Sequence, residues 1–426
     1  MKTILHKLFF ILIFVTGFQS NGSGQWILKN NFGPNGEFYD VHFLDESNGF
    51  AVGRDGIAPN YFGIIEKTND GGDTWTSLNV GSAPILFEVA FIDSLIGFAV
   101  GDSGTIIKTI DAGLNWTPIV SGTTNRLQSI FFSSPTIGYI CGTDIILKTI
   151  DSGNSWTSIF LNGTFLSTKF TTIDTGFVVG IIPNPVFGPP LSTFILKTTD
   201  GGQSWISKFD VSSTTLRCIQ FVSPSIGYAF GDLTQLKTID AGETWNALPF
   251  PTATAVFGVH FPDQITGYAV GIDYTTGQGP LIAKTTDAGA TWVKQNVSTA
   301  VWLFDVQFIN STIGYAVGAR GGVGYEVHKT INGGVSTSVN EFSEADNFTT
   351  FFPNPSTGIF SFQFKDVPRK LKIYNSLGLL VIEENLSETE FQMNMSNFSS
   401  GIYFYKVEYN NHTSSGKINL NASSGF

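Results

Sequence analysis

Short apolar stretches of strand length, separated by polar turns with glycine, run along most of the chain. In one stretch, the run FEVAF (Phe87 to Phe91) alternates large apolar residues with smaller or polar ones and predicts a strand. The glycine-bracketed run from Gly97 to Gly101 predicts a second strand, Ile106 to Thr109 a third, and Trp116 opens a fourth. Before that fourth strand, Asp111 sits in a turn where its carboxylate is placed to accept backbone hydrogen bonds. The stretch therefore predicts four short strands.

The same pattern recurs seven times, marked by the phrase K-T-x-D-x-G-x-x-W or a close variant. Neighbouring copies are 40 to 49 residues apart, a spacing typical of propeller blades and not of helical solenoid repeats. Four short strands per copy, repeated radially, predict an all-β chain with a seven-bladed β-propeller. The threonines that mark the copies are Thr68, Thr109, Thr149, Thr198, Thr238, Thr285 and Thr330.

The two ends of the repeat array predict that the propeller is closed by the N-terminal segment. The seventh copy carries Asn332 in place of the aspartate and has no tryptophan after it, whereas Trp26 stands unpaired before the first strand. We therefore expect the N-terminal segment to supply the outer strand of the last blade, which removes an exposed sheet edge. The seven matching tryptophans are then Trp26, Trp75, Trp116, Trp156, Trp205, Trp245 and Trp292.

The turn pattern is that of the Asp-box, or BNR, repeat. The whole copy, with V-x-F, then G-Y-A-V-G, then I-x-K-T-x-D-x-G-x-T-W, resembles the photosystem II stability and assembly factor family over residues 25–338. The resemblance implies a seven-bladed propeller and no particular activity, because Asp boxes also occur in sialidases, xyloglucanases and sortilin-type receptors. The aspartates of the boxes are expected to be structural: Asp70, Asp111, Asp151, Asp200, Asp240 and Asp287.

The N-terminal residues 1–24 are predicted to be a signal peptide. Lys2 and Lys7 precede an apolar run from Leu8 to Val15 that is too short to span a membrane. Later apolar runs are of strand length, so no transmembrane segment is predicted in the mature chain. Cys141 and Cys218 fall in non-neighbouring blades and predict two unpaired, buried thiols.

The charge balance disfavours a nucleic-acid partner. The whole chain carries a formal net charge of −11, and residues 25–338 contain 15 basic and 25 acidic side chains. Seven of those basic residues are the lysines of the repeat phrase, so little basic surface remains for phosphate groups.

The repeat pattern stops before a short polar segment, 339–348, which is predicted to be a linker. Residues 349–426 then contain alternating strands separated by turn residues, which predict a small β-sandwich. The P-N-P-x-x-G opening, the K-I-Y-N-S-L-G centre and the G-I-Y-F-Y-K-V strand resemble the type A sorting domain of the type IX secretion system, an Ig-like sandwich. This resemblance implies export across both membranes by that machinery. The protein is therefore expected to be secreted, either extracellular or at the outer-membrane surface.

Four copies have a lengthened connection between their second and third strands, at 54–63, 181–192, 272–280 and 319–325. In a four-stranded blade these connections lie on one face, and the Asp-box turns lie on the other. Variation confined to one face of a repeat protein is typical of a binding surface, and aromatic side chains suit a protein or glycan partner. The competing interpretation is variation without function. The candidate ligand-binding residues are Arg54, Tyr61, Phe62, Phe187, Tyr274, Arg320 and Tyr325.

Polar residues at matched positions of the innermost strands are expected to line the central channel. A metal site there would require His42 and His260, from blades one and six, to reach across the channel with only carboxylates as further ligands. No metal site and no cofactor is therefore predicted. The matched residues are His42, Ala90, Phe131, Lys169, Gln220, His260 and Gln307, and, two residues earlier, Asp40, Glu88, Ser129, Ser167, Cys218, Gly258 and Asp305.

No catalytic constellation is evident in the sequence. A sialidase needs an arginine cluster, and the arginines Arg54, Arg126, Arg217 and Arg320 fall in separate parts of the propeller, with no arginine-rich face expected. A glycosidase needs two acids about 5–10 Å apart, whereas Asp102 and Asp232 belong to blades two and five. The leading hypothesis is a non-catalytic propeller that binds a protein or glycan, and the alternative is a secreted carbohydrate-active hydrolase of the Asp-box propeller type.

Overall fold

The computed structural model describes residues 26–184, 190–212, 214–320, 323–334, 349–375, 380–410 and 413–421. The chain divides into two compact units, with the boundary between Thr337 and Ser338. The predicted signal peptide and the predicted linker lie outside the described residues.

The first unit is a seven-bladed β-propeller built from antiparallel sheets. Blade one contains β2 to β5, blade two β6 to β9, and blade three β10, β11 and the start of β12, where β11 supplies both middle strands. Blade four contains the rest of β12 with β13 to β15, blade five β16 to β19, blade six β20 to β23, and blade seven β24 to β26 with β1. The strands are β1 (Ile27–Asn31), β2 (Glu37–Phe43), β3 (Gly49–Ile57), β4 (Asn60–Thr68), β5 (Thr76–Ser77), β6 (Leu86–Phe91), β7 (Gly97–Gly101), β8 (Ile106–Thr109), β9 (Thr117–Ile119), β10 (Leu127–Phe132), β11 (Gly138–Thr149), β12 (Thr157–Phe170), β13 (Gly176–Ile182), β14 (Ser192–Thr198), β15 (Ile206–Val211), β16 (Thr215–Phe221), β17 (Gly227–Asp232), β18 (Gln235–Thr238), β19 (Asn246–Ala247), β20 (Thr254–His260), β21 (Gly267–Asp273), β22 (Gly279–Thr285), β23 (Val293–Lys294), β24 (Trp302–Phe308), β25 (Gly314–Arg320) and β26 (Gly324–Thr330), with short 3₁₀ turns at Asp102–Gly104 and Tyr274–Thr276.

The predicted closure by the N-terminal segment is confirmed. Strand β1 pairs antiparallel with β26, from Ile27 opposite Lys329 to Asn31 opposite Glu326. Trp26 is 2% exposed, and its indole N–H donates to the Gln295 side chain over 3.0 Å. The last blade therefore joins both ends of the propeller sequence, and its outer edge is paired.

Aromatic side chains fill the space between blades in a pattern that repeats around the ring. The last phenylalanine of the V-x-F element in blade one, Phe43, stacks on Tyr315 of blade seven at 3.6 Å between ring centroids. The outer-strand Trp75 meets the same Phe43 edge-on at 6.0 Å and 90°. Trp26 contacts Phe308 in the same way at 5.7 Å and 89°, so Trp26 is structurally equivalent to the repeat tryptophans.

The Asp boxes are held by internal hydrogen bonds, as predicted for structural residues. Asp70 accepts from the Thr74 backbone N–H at 2.8 Å and from the Thr74 and Thr68 hydroxyls at 2.6 and 2.8 Å. The same bonds recur in the other five boxes, where Ser, Thr or Asn stands four residues after the aspartate. Hydrogen bonding to the charged form lowers the pKa of these aspartates, to about 2 for Asp70 and Asp151.

The repeat lysines join each blade to the next. Lys67 donates to the Ala112 carbonyl, in the Asp-box turn of blade two, at 2.8 Å, and its ammonium lies over the Phe50 ring. Lys329 of blade seven closes the circle by donating to the Gly71 carbonyl of blade one at 2.6 Å. The other five lysines make the matching bond: Lys108 to Ser152, Lys148 to Gly201, Lys197 to Ala241, Lys237 to Ala288 and Lys284 to Gly333.

The second unit is a β-sandwich of two antiparallel sheets, as predicted for the tail. One sheet has the strand order β27-β28-β31 and the other β30-β29-β32-β33. Its own core includes the buried Phe360, Leu371, Ile373, Val407 and Ile418. Its strands are β27 (Thr349–Phe352), β28 (Ile359–Phe364), β29 (Lys370–Tyr374), β30 (Leu380–Asn385), β31 (Glu390–Asn394), β32 (Gly401–Glu408) and β33 (Thr413–Leu420).

Candidate functional site

Every innermost strand of the propeller contains a β-bulge at the same position. In blade one, Phe38 pairs with Gly53 and Asp40 pairs with Val52, so Tyr39 has no residue opposite it. A bulge of this kind brings two successive side chains, here Tyr39 and Asp40, to the same side of the strand. Both accordingly line the channel. The seven bulged residues are Tyr39, Phe87, Gln128, Leu166, Arg217, Phe257 and Phe304.

The two glycines that bracket each second strand are explained by this geometry. A Cβ on Gly49 would lie 2.5 Å from the Phe43 ring, so the first glycine makes room for the inner phenylalanine. A Cβ on Gly53 would lie 1.8 Å from the Glu37 carbonyl oxygen, beside the bulge. The second glycine therefore permits the close backbone approach that the bulge requires.

Four of the bulged residues are aromatic and contact one another around one mouth of the channel. Tyr39 lies between Phe87 and Phe304, at 5.3 and 5.8 Å between ring centroids, and Phe304 continues to Phe257 at 5.3 Å. All four side chains are half-buried. We call Tyr39, Phe87, Phe257 and Phe304 the aromatic crescent. It lies at the strand ends that carry the second-to-third-strand turns, which is the face predicted to bind.

An arginine stacks on each end of the aromatic crescent. The Arg126 guanidinium lies 5.0 Å from the Phe87 centroid, and that of Arg217 lies 4.8 Å from the Phe257 centroid. Each guanidinium also binds a carboxylate with two nitrogens, Arg126 binding Asp102 at 3.1 and 3.3 Å and Arg217 binding Asp232 at 2.8 Å twice. Both cations are therefore already matched with an anion.

A third arginine lies against the same mouth. Arg54 forms an ion pair with Glu37, with Nη2 2.7 Å from a carboxylate oxygen, and its guanidinium lies 3.9 Å from the Tyr61 centroid. Glu37 also accepts a hydrogen bond from the Tyr39 hydroxyl, and burial together with this bond raises the pKa of Tyr39. Contrary to expectation, all four propeller arginines lie on one face, although three of them are already paired with carboxylates.

The predicted loop residues are not all placed as expected. The connection 54–63 is a paired hairpin extension of β3 and β4, with Ile57 opposite Asn60, so Tyr61 and the exposed Phe62 stand on a strand. Tyr274 is exposed in a 3₁₀ turn. Arg320 lies at the end of β25, with its guanidinium 5.7 Å from the Trp302 centroid. Phe187 lies outside the described residues.

Tyr325, predicted to be a ligand-binding aromatic residue on this face, is instead buried. Its side chain is 4% exposed and packs against Phe32 and Phe38, at 5.3 and 4.9 Å between ring centroids. Its hydroxyl donates to Asp55 at 3.3 Å. Tyr325 is buried because it belongs to strand β26, opposite Ala319 of β25, and not to the connection between the two strands.

The central channel has two chambers. The larger, of about 400 Å³, is lined by His42, Gln220, His260 and Gln307 among others, and the smaller, of about 160 Å³, lies beneath the aromatic crescent. The two chambers share a waist formed by Asp40, Glu88, Lys169 and Asp305, with Val259. The prediction that the matched polar residues line the channel is confirmed for these side chains.

Channel side chains also connect neighbouring blades. Each accepts a hydrogen bond from a backbone N–H of the next innermost strand, whose edge has no further strand to pair with. Asp40 accepts from Val89, Glu88 from Ile130 and Asp305 from Val41, at 2.8, 2.9 and 3.3 Å. The same role is taken by Ser129, Ser167, Gln220, His260 and Gln307.

The waist contains an excess of carboxyl groups. Asp40 and Asp305 come from adjacent blades, and their carboxyl groups lie close to each other and to that of Glu88. Burial raises the pKa of Asp305 to about 6 and, together with repulsion from Asp305, raises the pKa of Asp40 well above its usual range. Lys169 reaches in from blade four, with its ammonium 3.8 Å from a Glu88 oxygen.

The channel histidines have structural contacts. His260 Nδ1 accepts the Phe308 N–H at 3.2 Å, and the His42 ring stacks on Phe91 at 5.7 Å. Burial, reinforced by the Lys169 charge, lowers the pKa of both imidazoles to about 4. Among the described residues, no group of three or more His, Cys, Asp or Glu side chains is arranged to hold a metal ion.

Both cysteines are free, as predicted. Cys141 is buried, whereas Cys218 is partly accessible, because it lines the smaller chamber. Burial raises the pKa of both thiols.

Two family models match parts of the chain. Residues 67–175 match the model described as photosynthesis system II assembly factor YCF48, and residues 350–421 match the secretion system C-terminal sorting domain. None of the curated proteins compared with the chain matches it.

Solved structures with the propeller fold are similar to the chain. The structure of YCF48 bound to D1 peptide has 16% sequence identity to this chain and a TM-score of 0.56. The matched region covers 73% of this chain and 96% of the YCF48 chain. The YCF48 from Cyanidioschyzon merolae has 16% identity and a TM-score of 0.55, covering 72% and 98%. PorZ, described as an essential surface component of the type-IX secretion system of Porphyromonas gingivalis, has 13% identity and a TM-score of 0.52, covering 90% and 59%.

The chain is thus a seven-bladed Asp-box propeller followed by a sorting-domain sandwich. The propeller is similar to the photosystem II assembly factor YCF48, and the tail is a type IX secretion sorting domain, which implies secretion. No helix in the described part of the chain has the length and apolar character needed to cross a membrane.

Proposed function

We propose that this protein is a non-catalytic propeller, secreted or displayed at the outer-membrane surface, that binds a protein or glycan partner through the face that carries the aromatic crescent. The single observation that carries the proposal is the crescent itself. Seven bulges set residues around one mouth, and four contiguous ones are aromatic and half-buried. Rigid aromatic rings on such a scaffold supply contact area at little entropic cost.

Two of the similar structures support this proposal by analogy of fold. YCF48 has been solved with a bound D1 peptide, so a propeller of this shape accepts a peptide in that protein. PorZ is a surface component of a type-IX secretion system, the machinery that the tail of this chain implies. Fold alone does not fix the partner, so the ligand class must come from the residues of the site.

The alternative function, a carbohydrate-active hydrolase, is disfavoured by the pairing of the candidate acids. Asp102 is held by Arg126 and Asp232 by Arg217, each through two hydrogen bonds. Both oxygens of each carboxylate are thus engaged by a guanidinium, and the two acids belong to blades two and five, so they do not form the close pair that a glycosidase needs.

Binding measurements on the full mature chain test the proposal. We expect Tyr39→Ala and Phe304→Ala to weaken binding to partners found on glycan and protein arrays by about tenfold or more, as truncated aromatic anchors do. Leu114→Ala is the matched control, because Leu114 is 67% exposed and lies in an Asp-box turn on the opposite face. Unchanged binding by both crescent variants would contradict the proposal.

Turnover assays on plant and host polysaccharides separate the two functions. We expect no turnover by the wild-type chain. Turnover that is lost in Asp102→Asn or Asp232→Asn would establish the hydrolase instead.

A further inference from the structure

The waist of the channel carries more negative than positive charge. Asp40, Glu88 and Asp305 converge there from three blades, and the cation that faces them is Lys169. The nearby Arg217 is matched with Asp232, outside the waist. If Asp40 and Asp305 share one proton, the three carboxyl groups carry two negative charges. Lys169 matches one of them, so one negative charge remains unmatched.

This charge lies directly beneath the aromatic crescent. The bulge places Tyr39 beside Asp40, Phe87 beside Glu88 and Phe304 beside Asp305, so that each acid in the chain follows a ring. The smaller chamber that these residues line is about 160 Å³, the size of one side chain. Aromatic faces above and carboxylates below form an environment that attracts a cation on an apolar stem.

We propose that the smaller chamber binds a lysine side chain of a protein partner. The methylene stem packs against the aromatic crescent, and the ammonium group reaches Asp40, Glu88 and Asp305. This inference rests on the proposed function, because it names the group that the partner inserts.

The arrangement favours an ammonium over a guanidinium and over a sugar. A guanidinium prefers a single carboxylate that accepts two parallel bonds, as Asp232 does for Arg217. The waist acids come from different blades, and a compact ammonium with three rotatable donors suits such a convergent set. A neutral sugar would leave the excess charge unmatched.

Binding of a lysine probe to the full mature chain tests the inference. The probe is Nα-acetyl-lysine methylamide, followed by saturation-transfer NMR and titration of ligand shifts at pH 7.5, and the control is the same molecule with its ε-amine acetylated. We expect the acetylated control to bind about tenfold more weakly or worse, because it has lost the charge. Equal binding of both molecules, or no binding of either, would overturn the inference.

Variants locate the site. Asp305→Asn and Phe304→Leu should each weaken binding of the lysine probe several-fold, whereas Leu114→Ala, which alters an exposed side chain on the opposite face, should not. Thermal melting of each variant checks its folding. Unchanged probe binding by both Asp305→Asn and Phe304→Leu would place the lysine elsewhere and overturn the inference.

The pH dependence of the wild-type chain gives a test without variants. Probe binding should strengthen as the pH rises from 5 to 7.5, because the pKa of Asp305 is about 6 and ionised waist carboxyls attract the ammonium. The other titratable or charged groups that line the channel here are Tyr39, His42, Asp40, Glu88, Lys169, Arg217, Cys218 and His260. The two histidines have pKa values of about 4 and stay neutral over this range. Binding that weakens or stays constant over this range would count against the inference.

The lysine assignment and the proposed function can fail separately. If the lysine probe fails while Tyr39→Ala and Phe304→Ala still abolish binding of an array partner, only the lysine assignment falls. Glycan binding at the crescent, insensitive to lysine probes, would likewise overturn the inference and leave the proposed function standing.

Discussion

At the scale of single residues, the lysines of the repeat phrase stabilise the ring by bonding to the main chain of the next blade. Each ammonium lies over an aromatic ring of its own blade and donates to a backbone carbonyl in the Asp-box turn of the next blade. The sequence shows that these lysines recur, but it does not show their acceptors. The acceptor is a main-chain oxygen 44 to 53 residues further along the chain for six of them and 258 residues away for Lys329, and a residue pattern does not report on main-chain atoms.

Lys197 and Lys208 allow this contribution to be measured with a matched pair. Both contact Glu243 at 2.6 Å, but only Lys197 is buried and also donates to the Ala241 carbonyl at 2.7 Å. We expect Lys197→Met to lower the free energy of unfolding by about 1–3 kcal/mol, because the partly buried Ala241 carbonyl loses its charged donor. Lys208→Met should cost less than about 1 kcal/mol, as surface ion pairs do.

Urea unfolding followed by tryptophan fluorescence measures this difference in the propeller alone, because all eight tryptophans precede residue 338. Equal effects of the two substitutions would show that the ion pair with Glu243, and not the bond between blades, accounts for the effect of Lys197.

The Asp-box aspartates predict the acid stability of the propeller. Their pKa values, about 2 for Asp111, Asp151, Asp240 and Asp287, lie below the unfolded value of about 3.9, so the unfolded chain binds more protons as the pH falls. This contribution is complete above about pH 5 and is lost as the pH falls from about 4 to about 2. Asp305 has a raised pKa, so its effect on stability is opposite: it favours the folded state at low pH and disfavours it as the pH rises.

Melting temperatures measured from pH 7 to pH 2 test this prediction. Asp151→Asn should melt lower than wild type at pH 7 and lose less on acidification, because one titrating group has been removed. Blade seven already has Asn332 at this position, so an asparagine is compatible with the turn. An identical slope in the variant and the wild type would contradict the assignment.

At the scale of elements, the strands of each blade could be predicted from the sequence. The bulges were not predicted, although the spacing of apolar residues along the innermost strands indicates them. Buried residues in a regular strand alternate, whereas in β2 they fall at Phe38, Val41 and Phe43, a spacing of three and then two. The extra residue in the first gap is the bulge. The same spacing recurs in other blades, for example at Leu86, Val89 and Phe91, where Leu86 and Val89 are buried and Phe91 is half-buried.

Ring closure by β1 is the element whose loss we expect to be most costly. Trp26 contacts Tyr268 and Phe308 in the core between blades six and seven, as Trp75 contacts Tyr315 and Phe43 between blades seven and one. Trp26→Ala and Trp75→Ala should therefore each destabilise the propeller by about 3–5 kcal/mol. The measurement is urea unfolding monitored by the remaining tryptophans.

The control for closure is Ile27→Ala, because Ile27 follows Trp26 in the chain but is 51% exposed, so its loss should change stability little. A Trp26→Ala variant as stable as wild type, beside a destabilised Trp75→Ala variant, would refute closure by the N-terminal segment.

At the scale of the whole molecule, the sequence predicted the order of parts better than the binding site. Repeats with glycine, aspartate and tryptophan at fixed offsets specify the propeller because each residue has one structural role per blade. The crescent escaped prediction because its members share a position and not a residue type: Gln128, Leu166 and Arg217 occupy the same bulge as the aromatic rings. The loops, chosen for their length, instead included the buried Tyr325.

The tail gives the prediction that concerns localisation. Residues 350–421 match the sorting-domain model, and the sandwich has a core of its own, so we expect it to fold and act when attached to another protein. Fusing residues 339–426 to a reporter with an unrelated signal peptide should carry the reporter outside the outer membrane of a host with type IX machinery. Fractionation and protease accessibility on intact cells measure this location.

Two controls make the result specific to the sandwich. A fusion that carries only residues 339–348, the predicted linker, should leave the reporter in the periplasm, and so should the complete fusion in a host that lacks type IX machinery. The predicted linker should also be cut readily by added protease, because polar segments between domains are accessible. A complete fusion that stays in the periplasm of the competent host would show that the sandwich is an accessory module that does not by itself direct export.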